Sequence, residues 1–394
     1  MPVFDCDDPA VTDALHALHA TVAARGGRLA PGARLMAHDG GLWVESPPPP
    51  DAGAPQLQVP ESALPAVERF TIGVRGDAFR RLDHDRGLAP ARVAACDRVL
   101  ALFNLLDKPA RHRAESPWFT VAAHLLETLV AARRGNSRLE HRLALHRAGD
   151  TERLLVDTFM GARTVGIPPR GDDPGGQALM PFIDFLNHHD RAPPYQLADA
   201  REGERILWTA RSQPAAGTEV FVRYTTLDAL DSLLVYGFHD TSAPWVRSVA
   251  TTVWPLADLP LTVDGRIATP WRGPLPLPLT RLRPWMPQIP ACDADGIRLS
   301  HLFLAGADDT TTAPAAARRL LAALVHTARP DLPRDATDRA ADDAVDALLA
   351  INDRFYADLE KRTAHRADPG AAAVHRMATE QRARLAAHTG GNPA

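Results

Sequence analysis

Residues 181–189, PFIDFLNHH, form an apolar run that is broken by Asp184 and ends in an amide and two imidazoles, Asn187, His188 and His189. Groups of this kind at the end of such a run can hydrogen-bond a bound molecule while apolar neighbours keep water away. A metal held by His188 and His189 is disfavoured, because adjacent side chains on extended backbone point to opposite faces. Two phenols follow: Tyr224 closes the stretch TEVFVRY, and Tyr236 opens Tyr236-Gly237-Phe238. Arg163 lies upstream, and its planar fork can bond both oxygens of a carboxylate. Taken singly, each motif has a plainer reading. Asn187-His188-His189 is then a polar loop, and Tyr236-Gly237-Phe238 a strand end or turn with buried aromatics.

The elements that would position these residues alternate along the chain. Residues 11–25 place Val11, Leu15, Leu18 and Val22 at helical spacing before Gly26-Gly27 stops the run. His16 and His19 sit three apart there, but no third ligand is near, so a solvated or packing role is the simpler reading. Residues 28–64 break into short apolar pieces, RLMA, GLWVES and LQVPES, which predict small antiparallel strands with a rigid proline loop, SPPPPDAGAP, between them. Residues 90–160 carry long helical periods, with Ser116 as a cap and Pro117 at the first helical position of one of them.

Strand signals resume in LMPFIDFL, ERILWTA and TEVFVRY, divided by the turn formers Arg201-Glu202-Gly203-Glu204 and Pro214-Ala215-Ala216-Gly217. The middle helices thus read as an insertion into a β unit. One further extended region follows residue 246 and runs into PWRGPLPLPLTRLRPWMP, read as a stiff connector. Beyond about 299 the periods are helical again.

With 394 residues the chain is long for one core, and two domains, or one with a large insertion, are expected. Its 44 basic and 48 acidic side chains are mixed along the sequence, which gives nucleic acid no basic surface to favour. Only Lys108 and Lys361 are lysines, in keeping with the codon bias of a GC-rich, bacterial genome. Cys6, Cys96 and Cys292 match neither a thiolate zinc site nor a disulfide framework. No apolar run reaches about 18 residues, so no membrane partner and a cytoplasmic location are expected.

In order and spacing, Asp184-Phe185-Leu186-Asn187-His188, then Gly217-Thr218-Glu219-Val220-Phe221-Val222-Arg223-Tyr224, then Tyr236-Gly237-Phe238 resemble the D-x-x-N-H, G-x-E-v-x-x-x-Y and Y-G-F succession of SET-domain methyltransferases of the Rubisco large-subunit lysine methyltransferase subfamily. Ser116-Pro117-Trp118 resembles the S-P-W that opens the subfamily's helical insert, and Ala162-Arg163 stands at its S-R pair. Motifs carry the resemblance over about 160–240, and layout alone carries it beyond 246. It implies an α+β fold of short antiparallel sheets. The N-terminal SET portion would span 1–89, a helical insert 90–160, the C-terminal SET portion 161–245, and a linker with a helical, substrate-binding-like domain 246–394.

The cofactor implied is S-adenosyl-L-methionine, with no metal. Asn187 and Arg163 would hold its amino-acid end and the backbone at His188 its adenine, with Asp184 bracing the segment. Gly41, Leu42 and Trp43 would form the N-terminal cofactor loop. Tyr236 would orient the acceptor amine and contact the sulfonium methyl of the cofactor through its phenolic oxygen, Tyr224 would line the same channel, and Phe238 would shape the pocket.

The implied reaction is methyl transfer to a deprotonated amine, most simply a protein lysine. A small-molecule acceptor in a biosynthetic pathway and a non-catalytic protein-binding module are the alternatives. The loop Asp39-Gly40-Gly41-Leu42-Trp43-Val44 departs from the subfamily's G-x-G-l-x-A, and Thr225 and Ala229 replace its usual glycine and asparagine.

Overall fold

The computed structural model describes residues 3–46, 55–169, 175–199, 205–210, 219–266, 277–308, 310–366 and 368–389. Residues 47–54 of the proline loop, both turn-forming tetrapeptides, Gly217-Thr218 and residues 270–276 of the proline-rich connector lie outside the described residues. The chain is α+β, with small sheets and a mainly helical C-terminal region, as the sequence predicts. Its contacts divide it into two compact units, one of residues 1–114 and 149–225, the other of 115–148 and 226–394. Helices from 90–160 therefore contribute to both.

In the first unit, β1 (Val3–Cys6) leads into α1 (Pro9–Ala23), whose buried Val11, Leu15, Leu18 and Val22 are the predicted stripe, capped by Asp8. The short strands follow: β2 (Arg28–Leu29), β3 (Arg34–Ala37), β4 (Trp43–Glu45) and β5 (Pro55–Pro60). The pairs β3/β4 and β2/β5 are antiparallel as expected, but β1 joins β3 in parallel, a non-local pairing that no local pattern announces. Next, β6 (Phe70–Arg75) and β7 (Ala78–His84) make a hairpin across Gly76-Asp77, with Gly76 at φ +61. A Gly-Asp pair between β-rich runs is a hairpin signal.

Helices α2 (Pro90–Leu105), α3 (Lys108–Glu115), α4 (Pro117–Thr120), α5 (Ala123–Ala131), α6 (Ser137–Arg147) and α7 (Thr151–Gly161) come next. The predicted Ser116 cap is present: its hydroxyl accepts from the Trp118 amide. In the first unit the chain continues through β8 (Thr164–Ile167), β9 (Gly176–Leu179), β10 (Asn187–His188), β11 (Gln196–Asp199), β12 (Arg205–Ala210) and β13 (Phe221–Val222). The order β11-β12-β5-β2 forms its largest sheet.

One strand reading is overturned. LMPFIDFL is no continuous strand: β9 stops at Leu179, and Ile183–Phe185 is a turn of 3-10 helix. Between them Phe182 sits at φ 64, ψ −37, and the Ile183 amide donates to the Pro181 carbonyl at 2.8 Å, the pattern of a γ-turn. Such a backbone is strained for a bulky residue, by about 1–3 kcal/mol. The buried Phe182 ring, 5.5 Å from that of Phe185, is what holds it there.

In the second unit, α8 (Ala229–Val235) precedes β14 (Val246–Arg247), β15 (Thr251–Leu256), β16 (Leu259–Val263), β17 (Ala291–Asp293), β18 (Gly296–Leu299) and β19 (Phe303–Ala305). The single extended region expected after 246 is thus a four-stranded sheet, β15-β16-β18-β17, with a separate β14/β19 pair. The predicted C-terminal helices are α9 (Ala313–Ala328), α10 (Arg334–Thr363) and α11 (Pro369–Thr389). Among the described residues, no helix is long and apolar enough to cross a membrane.

All seven residues of α8 are buried, and charge is buried with them. Arg133 donates from Nε to Asp231 at 2.7 Å and from Nη2 to Asp228 at 2.6 Å, and Arg247 pairs with Asp231. Asp228 also accepts the Asp231 amide at 2.8 Å, which caps the helix. Burial alone would raise the Asp231 carboxyl, but Arg133 and Arg247 outweigh it and hold it below the usual carboxylate range. Removing one partner of such a set leaves an uncompensated buried charge, at a cost of about 3–5 kcal/mol. Asp231→Ala should therefore lose roughly that much in urea unfolding, whereas a loss under about 1 kcal/mol would show that the arginines find other partners.

Candidate active site

The first unit brings three separated motifs onto one stretch of backbone. Asn187–His188 pairs in parallel with Phe221–Val222, and the ladder is extended by the His189 amide donating to the Val222 carbonyl at 3.2 Å. Immediately before β13, the Val220 amide donates to the Val44 carbonyl at 2.8 Å, and Glu219 bridges Glu45. Strand β4, which begins at Trp43 and follows Gly41-Leu42, is thereby tied through 219–220 to the Asn-His pair.

Side chains reinforce the same joint. Asn187 Nδ2 donates to Glu219 Oε1 at 2.7 Å. His188 Nδ1 accepts the Tyr224 amide at 3.1 Å, so a neutral ring carries its proton on Nε2. Tyr224 folds back over that imidazole, ring centroids 5.1 Å apart, and its hydroxyl donates to the Leu186 carbonyl at 2.8 Å. Tyr224 therefore closes a loop around His188, with its amide on the imidazole and its phenol on the Leu186 carbonyl. Glu219, quoted in the motif but assigned no role from sequence, proves to be the partner of Asn187.

Arg163 and Asp184 form the second part of the site. Arg163 follows α7, with Cζ 3.9 Å from the Phe159 ring centroid and Nε 3.4 Å from Asp184 Oδ2. Its charge is thus stacked on an aromatic face and paired with a carboxylate three residues before Asn187. Burial pushes the Asp184 carboxyl up to about 7, against the opposing pull of the Arg163 and Lys108 charges. Neither Phe159 as the platform nor Lys108 as a neighbouring charge was named from the sequence. The helical period around Phe159 carried no sign of an arginine above it.

At the N-terminal loop, Asp39 and Gly40 both take positive φ, 50 and 70, and the Gly41 amide donates to the His38 carbonyl at 2.7 Å. The left-handed backbone at position 40 is what favours glycine there. Trp43 packs near His38, ring centroids 5.7 Å apart, and donates from Nε1 to Glu45 at 3.3 Å.

Tyr236 and Phe238 belong to the second unit. Tyr236 is the residue that ends α8, Gly237 follows at φ +84, and the two aromatic rings lie 6.1 Å apart, both half-buried. Gly237 approaches Ser116 and Pro117, which brings Ser116-Pro117-Trp118 and Tyr236-Gly237-Phe238 together within this unit. No group of three or more His, Cys, Asp or Glu side chains placed to hold a metal ion occurs among the described residues.

No family model matches the chain, and no curated protein matches it. Solved structures do. The chain is similar to the structure described as the SET domain of LSMT bound to methyl-lysine and AdoHcy, at 12% identity over 94% of this chain and 89% of that one, with a TM-score of 0.47. The LSMT SET domain bound to lysine and AdoHcy, and Rubisco LSMT bound to AdoMet, each match at 12% identity over 96% of this chain and 90% of theirs, with TM-scores of 0.43. At that identity and those scores, the matches assign neither an activity nor a residue role to this chain.

The raised Asp184 gives a pH prediction. Between the ordinary carboxylate range and about 7 the folded protein keeps a proton that the unfolded chain has released, so stability falls as pH rises through that window and levels above it. Asp184→Asn should flatten this part of the profile, read as urea midpoints at pH 5 and pH 8. An unchanged slope in the variant would mean that the carboxyl titrates normally.

Proposed function

We propose that this chain is a SET-type N-methyltransferase that uses S-adenosyl-L-methionine and methylates the side-chain amine of a protein lysine. One observation supports this above all. The two motifs of this unit that resemble the subfamily in sequence, residues 187–188 and 219–224, are joined to each other and to β4, the strand after the 39–42 loop, by backbone hydrogen bonds. A chance match of scattered tripeptides has no reason to converge.

The residues present suit the cofactor. Asn187 is exposed and carries both a donor and an acceptor, which suits an amino-acid end bearing ammonium and carboxylate. Arg163, half-buried and stacked on Phe159, offers a fork for the carboxylate. The extended backbone at His188, held between Val222 and Tyr224, would meet the adenine. Gly41, Leu42 and Trp43 would form the opposing loop, with Asp184 holding Arg163 in place.

Bound there, the sulfonium supplies an activated methyl group, and the transfer is an in-line displacement that asks the protein for positioning and exclusion of water. The acceptor must lose a proton first, because a lysine amine has a pKa of about 10.4. The Tyr236 phenol would orient that amine, Tyr224 would line the channel, and Phe238 would limit the room around it. The helical C-terminal domain would receive the protein substrate, and the domain boundaries expected from the sequence are retained in this reading.

Calorimetry with S-adenosylmethionine or S-adenosylhomocysteine tests the cofactor assignment: binding with one site per chain is expected, and no heat from intact protein would remove it. Tyr236→Phe should cut transfer of labelled methyl to protein in a lysate while leaving cofactor affinity unchanged. Label in small molecules alone would point to a metabolite acceptor.

A further inference from the structure

The last carbonyls of a helix lack partners within it. At the end of α8 two of them are met by side chains from residues 117–147. Trp118 Nε1 donates to the Leu234 carbonyl at 2.8 Å, and Arg142 Nη1 reaches the carbonyls of Leu234 and Val235, each at 3.3 Å. Both donors are fully buried, and the Arg142 guanidinium carbon lies 5.9 Å from the Trp118 ring centroid, so cation and indole brace each other. A cation also suits the negative end of the helix dipole. The next residue is Tyr236, and the chain then turns at Gly237 against Ser116 and Pro117.

The other end of α8 is pinned by Asp228, Asp231, Arg133 and Arg247, so this short, wholly buried helix is fixed at both ends. Stability alone does not call for an arginine at position 142, because a buried charge is costly to desolvate and an apolar side chain of similar volume often serves as well. What the guanidinium adds is direction: hydrogen bonds to two consecutive carbonyls just before Tyr236.

We propose that Trp118 and Arg142 are positioning residues for Tyr236. By holding the Leu234 and Val235 carbonyls they set the direction in which the phenol leaves the helix. The role of that phenol rests on the methyltransferase reading above, but the clamp can be measured without it. The protein has four tyrosines, Tyr195, Tyr224, Tyr236 and Tyr356. Full-length protein labelled with 3-fluorotyrosine should give four fluorine resonances, assigned by single Tyr→Phe changes.

Trp118→Phe and Arg142→Met should shift or broaden the Tyr236 resonance and leave those of Tyr195 and Tyr224 in place, and Arg142→Lys should bring it part of the way back. S-adenosylhomocysteine affinity should not change. An unmoved Tyr236 resonance in both variants would overturn the proposal, as would a common shift of all four that tracks a lowered melting temperature. If Arg142→Met does not fold, Trp118→Phe decides, since it keeps a ring and removes one N–H. Failure of the wild-type protein to bind S-adenosylhomocysteine would count against the methyltransferase reading and leave the fluorine result as it stands.

Discussion

The parallel pairing of Asn187–His188 with Phe221–Val222 is the contact on which the site depends. It is only two residues long, and isolated it would not persist. It is held because each end is tied elsewhere: Val220 to Val44, Asn187 to Glu219, and Tyr224 to both His188 and the Leu186 carbonyl. Irregular backbone of this kind fixes the directions of its amide and carbonyl groups, which is what a bound polar molecule needs for orientation.

The strain at Phe182 fits this arrangement. The γ-turn reverses the chain just after β9, so that Asp184 reaches Arg163 and Asn187 emerges beside β13. A smooth strand through 179–188 would have carried alternate side chains to opposite faces and separated these groups. The cost is local, and the packing of Phe182 against Phe185 and near His19 offsets it.

Much of this was legible in the sequence. The order and spacing of Asp184, Asn187 and Tyr224 pointed to segments that lie together in the first unit, and the stripe of α1 and the Ser116 cap pointed to their elements. What escaped was non-local. Strand β1 pairs with β3 across about thirty residues of chain, and nothing in VFDC announces its partner. Nothing in the local composition around Arg133, Asp228, Asp231 and Arg247 discloses their mutual burial. The γ-turn was hidden because Pro181, Phe182 and Ile183 all sit comfortably in strands or their edges by propensity. Trp118 and Arg142 were visible as residues, but their common target, the end of α8, exists only once the helices pack.

A crystal structure of the protein with S-adenosylhomocysteine would show whether the paired backbone at 187–188 is what binds the cofactor. The ligand is expected against that backbone, with its carboxylate within hydrogen-bonding distance of Arg163 or Asn187. Ligand bound away from that backbone, with Arg163 still paired only to Asp184, would contradict that role.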